Sequence, residues 1–236
     1  MNLILLVDDD FVDPQRVRLT GRRLAFVRTV HRAAVGDVLR VGRLNGRIGH
    51  GAVARLDARE LILEVGLDRE PPPPVPLTLL LALPRPKVLR RVLRCVTAMG
   101  IKHIVLLNTW RVEKSFWSSP VLQPTALRDA LRLGLEQGGD TIEPTLDLRR
   151  RFKPFVEDEL PALSDGTRAL VAHPPAVTPC PHGVGAPMTL AIGPEGGFIP
   201  YEVAQLCARG FEAVSLGARP LQVEHAVPAL LGRLVP

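Results

Sequence analysis

The sequence predicts two parts of different class, a small β-rich barrel followed by a larger α/β unit built on a parallel sheet. Three observations carry this reading. The run Pro71-Pro72-Pro73-Pro74-Val75-Pro76 cannot continue a helix or a central strand and serves as a short stiff spacer, dividing the chain into residues 1–74 and 75–236. Before it, apolar and polar residues alternate with the period of half-buried strands. After it, almost wholly apolar runs alternate with stretches of helical periodicity, the pattern of parallel strands covered on both faces by helices.

In the first part Leu3 to Val7 and Asp37 to Val41 read as strands, Asn45-Gly46 is a hairpin signal, and Ile48 to Leu56 and Glu60 to Val65 alternate. Little helix is expected there. Arg22, Arg23, Arg28, His31 and Arg32 cluster ahead of Gly36-Asp37 and give this module a basic edge. In the second part Leu77 to Leu83 and Ile104 to Leu107 read as buried strands. Between them Pro86 to Met99 is amphipathic. Val88, Val92, Val96 and Met99 share one face, while Lys87, Arg90, Arg91 and Arg94 repeat at helical spacing on another. A further helix is expected over Thr125 to Gln137. Strands are expected at Arg168 to Ala172, Thr189 to Ile192 and Ala213 to Leu216, and helices over Tyr201 to Arg209 and from Val223 onward.

Charge points to the class of partner. Lys and Arg number 30 against 24 Asp and Glu, a net +6 over 236 residues. Residues 1–74 hold 12 basic and 10 acidic groups, residues 75–155 hold 14 and 6, and residues 156–236 hold 4 and 8, so the surplus sits in the middle. A concentrated cationic stripe attracts polyanions because phosphate contacts release condensed counterions, which makes nucleic acid the leading partner. The alternative is a solvated face whose arginine stems cover the sheet edge. Cys95, Cys180 and Cys207 form no Cys-x-x-Cys pair, so neither a disulfide framework nor a zinc ribbon is indicated and a reducing cytoplasm is expected. No apolar run approaches the roughly 20 residues that cross a bilayer, and the start runs into Asp8-Asp9-Asp10 rather than a basic leader. No membrane association is expected.

The densest constellation lies near the end. Ile192-Gly193-Pro194-Glu195-Gly196-Gly197-Phe198 follows an expected strand and leads into Pro200-Tyr201-Glu202, a helix start. Three glycines and a proline make a tight loop whose amides a ligand can approach. Neither the phosphate-loop pattern nor the Gly-x-Gly-x-x-Gly fingerprint is present. A second loop, Leu216-Gly217-Ala218-Arg219-Pro220-Leu221, follows the next strand. Two such loops at the carboxyl ends of neighbouring strands would form one crevice, the usual ligand position in an α/β sheet.

Gly193-Pro194-Glu195-Gly196-Gly197-Phe198 with Glu202, then Leu216-Gly217-x-Arg219-x-Leu221-x-x-Glu224, resembles the SPOUT methyltransferases of the RsmE type. The resemblance spans nearly the whole chain, with residues 22–42 similar to the family's PUA-like RNA-binding barrel and Lys87, Gly100 and Glu136-Gln137 in matching order. It implies a trefoil-knot methyltransferase domain behind a PUA-like barrel, and S-adenosylmethionine-dependent methylation of N3 of a uridine in small-subunit (16S) ribosomal RNA. It also implies a homodimer and no metal. By resemblance Gly193, Gly196, Gly197, Leu216, Gly217, Ala218 and Leu221 line the cofactor, with Glu195 in the loop and His173-Pro174 as a third wall. Arg219 is the residue implied to stabilise the uracil anion or a phosphate, with Glu224 to orient it or accept a proton. Glu195 has a structural alternative, capping amides at a helix N-terminus. RNA is implied to meet Arg22, Arg23, Arg28, His31, Arg32, Lys87, Arg90, Arg91 and Arg94. The chain departs from the family at Gln222 and His225, where arginine and threonine are usual, at Gly138-Gly139-Asp140 and at Val96-Thr97. Two alternatives therefore stand beside the first: a non-catalytic RNA-binding relative, and a methyltransferase for a different RNA. His225 is a candidate substitute base. His173, Cys180 and His182 are candidate metal ligands by type, but Cys180-Pro181-His182 is too tight for usual zinc spacing and lies in a Pro/Gly-rich loop. Trp110, Phe116 and Trp117 lie among cations and suit either base stacking or a packing role.

Overall fold

The computed structural model describes residues 2–235, which form two compact units. The first comprises residues 2–73 together with Arg132–Glu143. Its barrel-like sheet contains β1 (Ile4–Leu6), β2 (Phe11–Asp13), β3 (Arg16–Leu19), β4 (Val38–Arg43), β5 (Ile48–Leu56) and β6 (Leu61–Arg69), in the order β1-β4-β5-β6-β3-β2. All pairings are antiparallel except that of β1 with β4. Alternate residues Val17, Leu19, Leu39, Val41, Leu61 and Leu63 turn inward onto Ile4 and Leu6. The hairpin between β4 and β5 turns through Asn45 at φ 56, a left-handed conformation that asparagine tolerates. At Gly49 the two long strands approach so closely that a Cβ would lie 1.8 Å from the Gly66 carbonyl oxygen.

Little helix was expected in this unit and none was placed there; Gly21–Phe26 forms α1 and Val27–His31 continues it as a π-helical turn. Only Leu24 and Val27 are buried along it, so its apolar stripe is too short to stand out among four basic residues. The segment Arg132–Glu143 lies beyond the prolines and still joins this unit. Leu135 packs with Leu3, Leu5 and Ile48, and the Glu136 carbonyl accepts from the amides of Asn2 and Leu3 at 2.8 and 3.1 Å. A proline spacer marks where the chain leaves a unit and carries no signal of its return.

The second unit, Pro74–Leu131 with residues 144–235, holds a six-stranded parallel sheet. Its strands are β7 (Val75–Ala82), β8 (Ile101–Leu107), β9 (Thr145–Arg149), β10 (Arg168–Ala172), β11 (Met188–Ile192) and β12 (Glu212–Val214), ordered β12-β10-β11-β7-β8-β9. The helices are α2 (Pro86–Ala98), α3 (Pro124–Gly138, in this unit as far as Leu131), the short α4 (Phe152–Pro154) and α5 (Leu160–Ser164), α6 (Pro200–Cys207) and α7 (Val223–Leu234). β11 is buried along its whole length, as expected of a strand covered on both faces. The edge strand β9 escaped the sequence reading because Thr145-Leu146-Asp147-Leu148-Arg149 is only half buried and too polar to match that pattern. The order also corrects one expectation. The two glycine loops leave β11 and β12, which are not neighbours; β10 runs between them and pairs with both.

Candidate cofactor cavity and adjoining groove

Because β11, β10 and β12 run parallel and side by side, the loops leaving their carboxyl ends converge. Among them lies a largely apolar cavity of about 300 Å³, at the lower end of the range of small-molecule sites. One wall is the turn Gly193-Pro194-Glu195-Gly196-Gly197, closed by the Gly197 amide donating to the Pro194 carbonyl at 2.7 Å with Gly197 at φ 71. No side chain fits at Gly193, where a Cβ would meet the Phe198 nitrogen at 2.8 Å. A second wall is Leu216 and Gly217 with Arg219, Pro220 and Leu221, and the third is His173 and Pro174. Ala218, expected among these, is not part of the lining.

Ser215, which sequence reasoning passed over, joins two walls. Its hydroxyl accepts from the Gly217 amide at 3.1 Å and lies 3.2 Å from the carbonyls of Pro174 and Gly217, either of which can take its proton. Burial holds the His173 imidazole below its ordinary value of 6.5, so the ring is neutral at neutral pH.

Arg111 was also missed as a site residue. It leaves the loop after β8, lines the cavity and donates to the Gly196 carbonyl. Glu202 stitches the same two loops, one carboxylate oxygen accepting from the Trp110 amide at 2.7 Å and the other from the Ile199 amide at 3.0 Å. At 3% exposure this carboxylate is structural. The sequence held a hint in the Trp110-Arg111 pair, but only the fold brings the two loops together.

Glu195 does cap a helix, though not the one that follows it in sequence. Its Oε1 accepts from the Arg85 amide at 2.9 Å, at the N-terminus of α2. Glu224 likewise faces α2: its carboxylate accepts from Arg91 at 2.7 Å. Arg219 has no ion-pair partner among the described residues. Arg85, Lys87, Arg91, Phe116, Gln222 and Glu224 line a groove that shares Glu195, Pro220 and Leu221 with the cavity. His225 is exposed and lines neither.

The expected RNA-facing cations fall into two classes. Arg23 is bound by two bonds of 2.5 and 2.6 Å to buried Asp10, and Arg22 by two of 2.8 and 2.9 Å to buried Glu136. Arg91 belongs with Glu224. Arg28, Arg32, Lys87, Arg90 and Arg94 are exposed without a carboxylate partner among the described residues, and exposed His31 packs edge-on against Phe26. No cluster of three or more metal-binding side chains occurs among the described residues. Nor is any helix there long and apolar enough to cross a membrane.

A model of the RNA methyltransferase domain matches residues 71–235. The chain belongs to this RNA methyltransferase family. Ribosomal RNA small subunit methyltransferase E of Treponema pallidum is 28% identical over 235 residues, 97% of this chain and 88% of the relative. The fold is shared with solved structures at lower identity. One is a Neisseria gonorrhoeae ribosomal RNA small subunit methyltransferase E bound to S-adenosylmethionine, with a TM-score of 0.73 at 19% identity over 98% of this chain and 95% of that one. Another, a Legionella pneumophila protein described as a methyltransferase and also solved with that cofactor, gives 0.71 at 22% over the same shares. The family match spans every strand of the parallel sheet and all three cavity loops.

Proposed function

We propose that the protein is an S-adenosylmethionine-dependent methyltransferase acting on N3 of a uridine in small-subunit ribosomal RNA. The observation that carries the reading is the largely apolar cavity at the ends of β10, β11 and β12, whose glycine-rich walls leave room for this cofactor, with Arg111, Glu195 and Arg219 as its charged lining residues. The name of the Treponema pallidum relative supports the RNA class. When bound, the cofactor supplies a methyl group already activated on a sulfonium.

What remains for the protein is alignment and electrostatics. A neutral His173 adds no positive charge beside the sulfonium. Arg219, at the cavity rim and free of a carboxylate, favours the deprotonated uracil. Glu224, held by Arg91, ties α7 to α2 and acts as a positioning residue rather than a proton acceptor. The RNA backbone lies along Lys87, Arg90 and Arg94 of the second unit, and Arg28, His31 and Arg32 are the first unit's own exposed cations for RNA. Gln222 and His225 leave the cavity walls intact, which favours this reading over a non-catalytic relative. We further propose that the enzyme is a homodimer, measurable by sedimentation as twice the 25.8 kDa chain. Calorimetry with S-adenosylmethionine tests the cofactor assignment: saturable one-site binding is expected, and no detectable heat or competition would exclude it.

A further inference from the structure

Aromatic residues make up only 4% of this chain, with two tryptophans and one tyrosine. Most large apolar side chains are buried, yet Trp110 is 81% exposed and Tyr201 is 48% exposed. Trp110, on the loop after β8, lies beside the first turn of α6, which carries Tyr201, since the Trp110 amide donates to Glu202, the residue after Tyr201. Trp110 is thus anchored through its backbone while its ring stands in water. It directly precedes Arg111, which lines the cofactor cavity.

Cations occupy the adjoining segments. Two residues back, Asn108 accepts from the Trp117 indole at 2.8 Å and its amide donates to the Arg149 carbonyl at 2.8 Å. Arg150 then lies over the Trp117 ring, 5.1 Å from its centre, and Arg151 and Lys114 are exposed on the same loops. Residues 75–131 with 144–155 hold 13 basic and 3 acidic groups. Exposed aromatic and cationic side chains on adjoining segments complement a polyanion with accessible base faces.

We propose that Trp110, backed by Arg150 on Trp117 and by Arg151 and Lys114, is a stacking surface for an unpaired base of the RNA. This rests on the methyltransferase reading, because it places the stacked base beside the cavity where the target uridine must enter. Aromatic platforms flanked by cations hold single strands through the π-face that every base offers, and duplexes hide those faces.

With only two tryptophans, intrinsic fluorescence reports the contact directly. A short single-stranded oligoribonucleotide should quench the wild-type emission, and Trp110→Ala should abolish most of that quenching while weakening affinity about tenfold. Trp110→Phe should restore most of the affinity. Duplex RNA of the same sequence should bind both variants and the wild type alike. S-adenosylmethionine affinity, measured in parallel, should be the same in all three proteins, so that failure of cofactor binding would count against the methyltransferase reading and leave the RNA comparison separately readable. The proposal is overturned if Trp110→Ala binds single strands as the wild type does, if duplex binding falls equally, or if the substitution changes oligomeric state instead of RNA affinity.

Discussion

At Gly193 the constraint is steric: a Cβ would lie 2.8 Å from the Phe198 amide nitrogen and 3.0 Å from the Gly197 backbone. Gly193→Ala must therefore displace backbone, and it is expected to lower S-adenosylmethionine affinity by at least about tenfold, equivalent to about 1.4 kcal/mol, with the first unit's unfolding unchanged. Wild-type affinity in calorimetry would show that the loop does not form the cofactor wall. Gly196 is less restrictive, since a Cβ there meets the Arg111 side chain at 2.9 Å, and that chain can swing aside. His173 gives a pH signature. Its folded value is depressed by burial, so as pH falls below 6.5 the unfolded chain takes up a proton before the folded one and stability is lost in the acid direction. Cofactor affinity should be flat above 6.5 and fall once the folded imidazole protonates; His173→Gln should remove that decline, and its persistence would assign it elsewhere. The glycine loop was legible in sequence because tight turns demand particular residues. Arg111 and Ser215 were not, because arginine and serine suit any surface loop and only the convergence of three strands gives them a site.

Elements divide cations of similar sequence appearance into different roles. In α2, Lys87, Arg90 and Arg94 are unpaired among the described residues and Arg91 is held by Glu224. Replacing each of the first three by alanine should weaken RNA binding and lower the slope of log affinity against log salt by about one, whereas Arg91→Ala should change it less. Equal slopes across the four variants would contradict the division. In the first unit, Arg23 and Asp10 are 20% and 8% exposed in their side chains. Losing one partner of such a buried pair costs about 3–5 kcal/mol, so Asp10→Ala should shift the urea midpoint well downward, and a shift under about 1 kcal/mol would show that the pair is not buried in effect. The amphipathic pattern of α2 predicted its span to within a residue, whereas α1 was missed because two buried apolar residues make too short a stripe. Helical periodicity identifies a cationic face; it does not show which carboxylates from distant segments have claimed its members.

Over the whole molecule, charge and topology sort together. With Arg132–Glu143 counted in the first unit, that unit carries 13 basic and 13 acidic groups, and the entire +6 belongs to the second. The fold class followed from the change in apolar pattern at the prolines. The strand order did not, because periodicity is blind to which parallel strands are neighbours. That order is what places three loops around one cavity beside the basic α2, an arrangement suited to bringing RNA to a methyl donor. The decisive measurement is transfer itself. The purified protein would be incubated with methyl-labelled S-adenosylmethionine and small ribosomal subunits lacking the modification, and the rRNA digested to nucleosides for mass spectrometry. Labelled 3-methyluridine is the expected product; cofactor binding without any labelled nucleoside, or label on another base, would contradict the assignment.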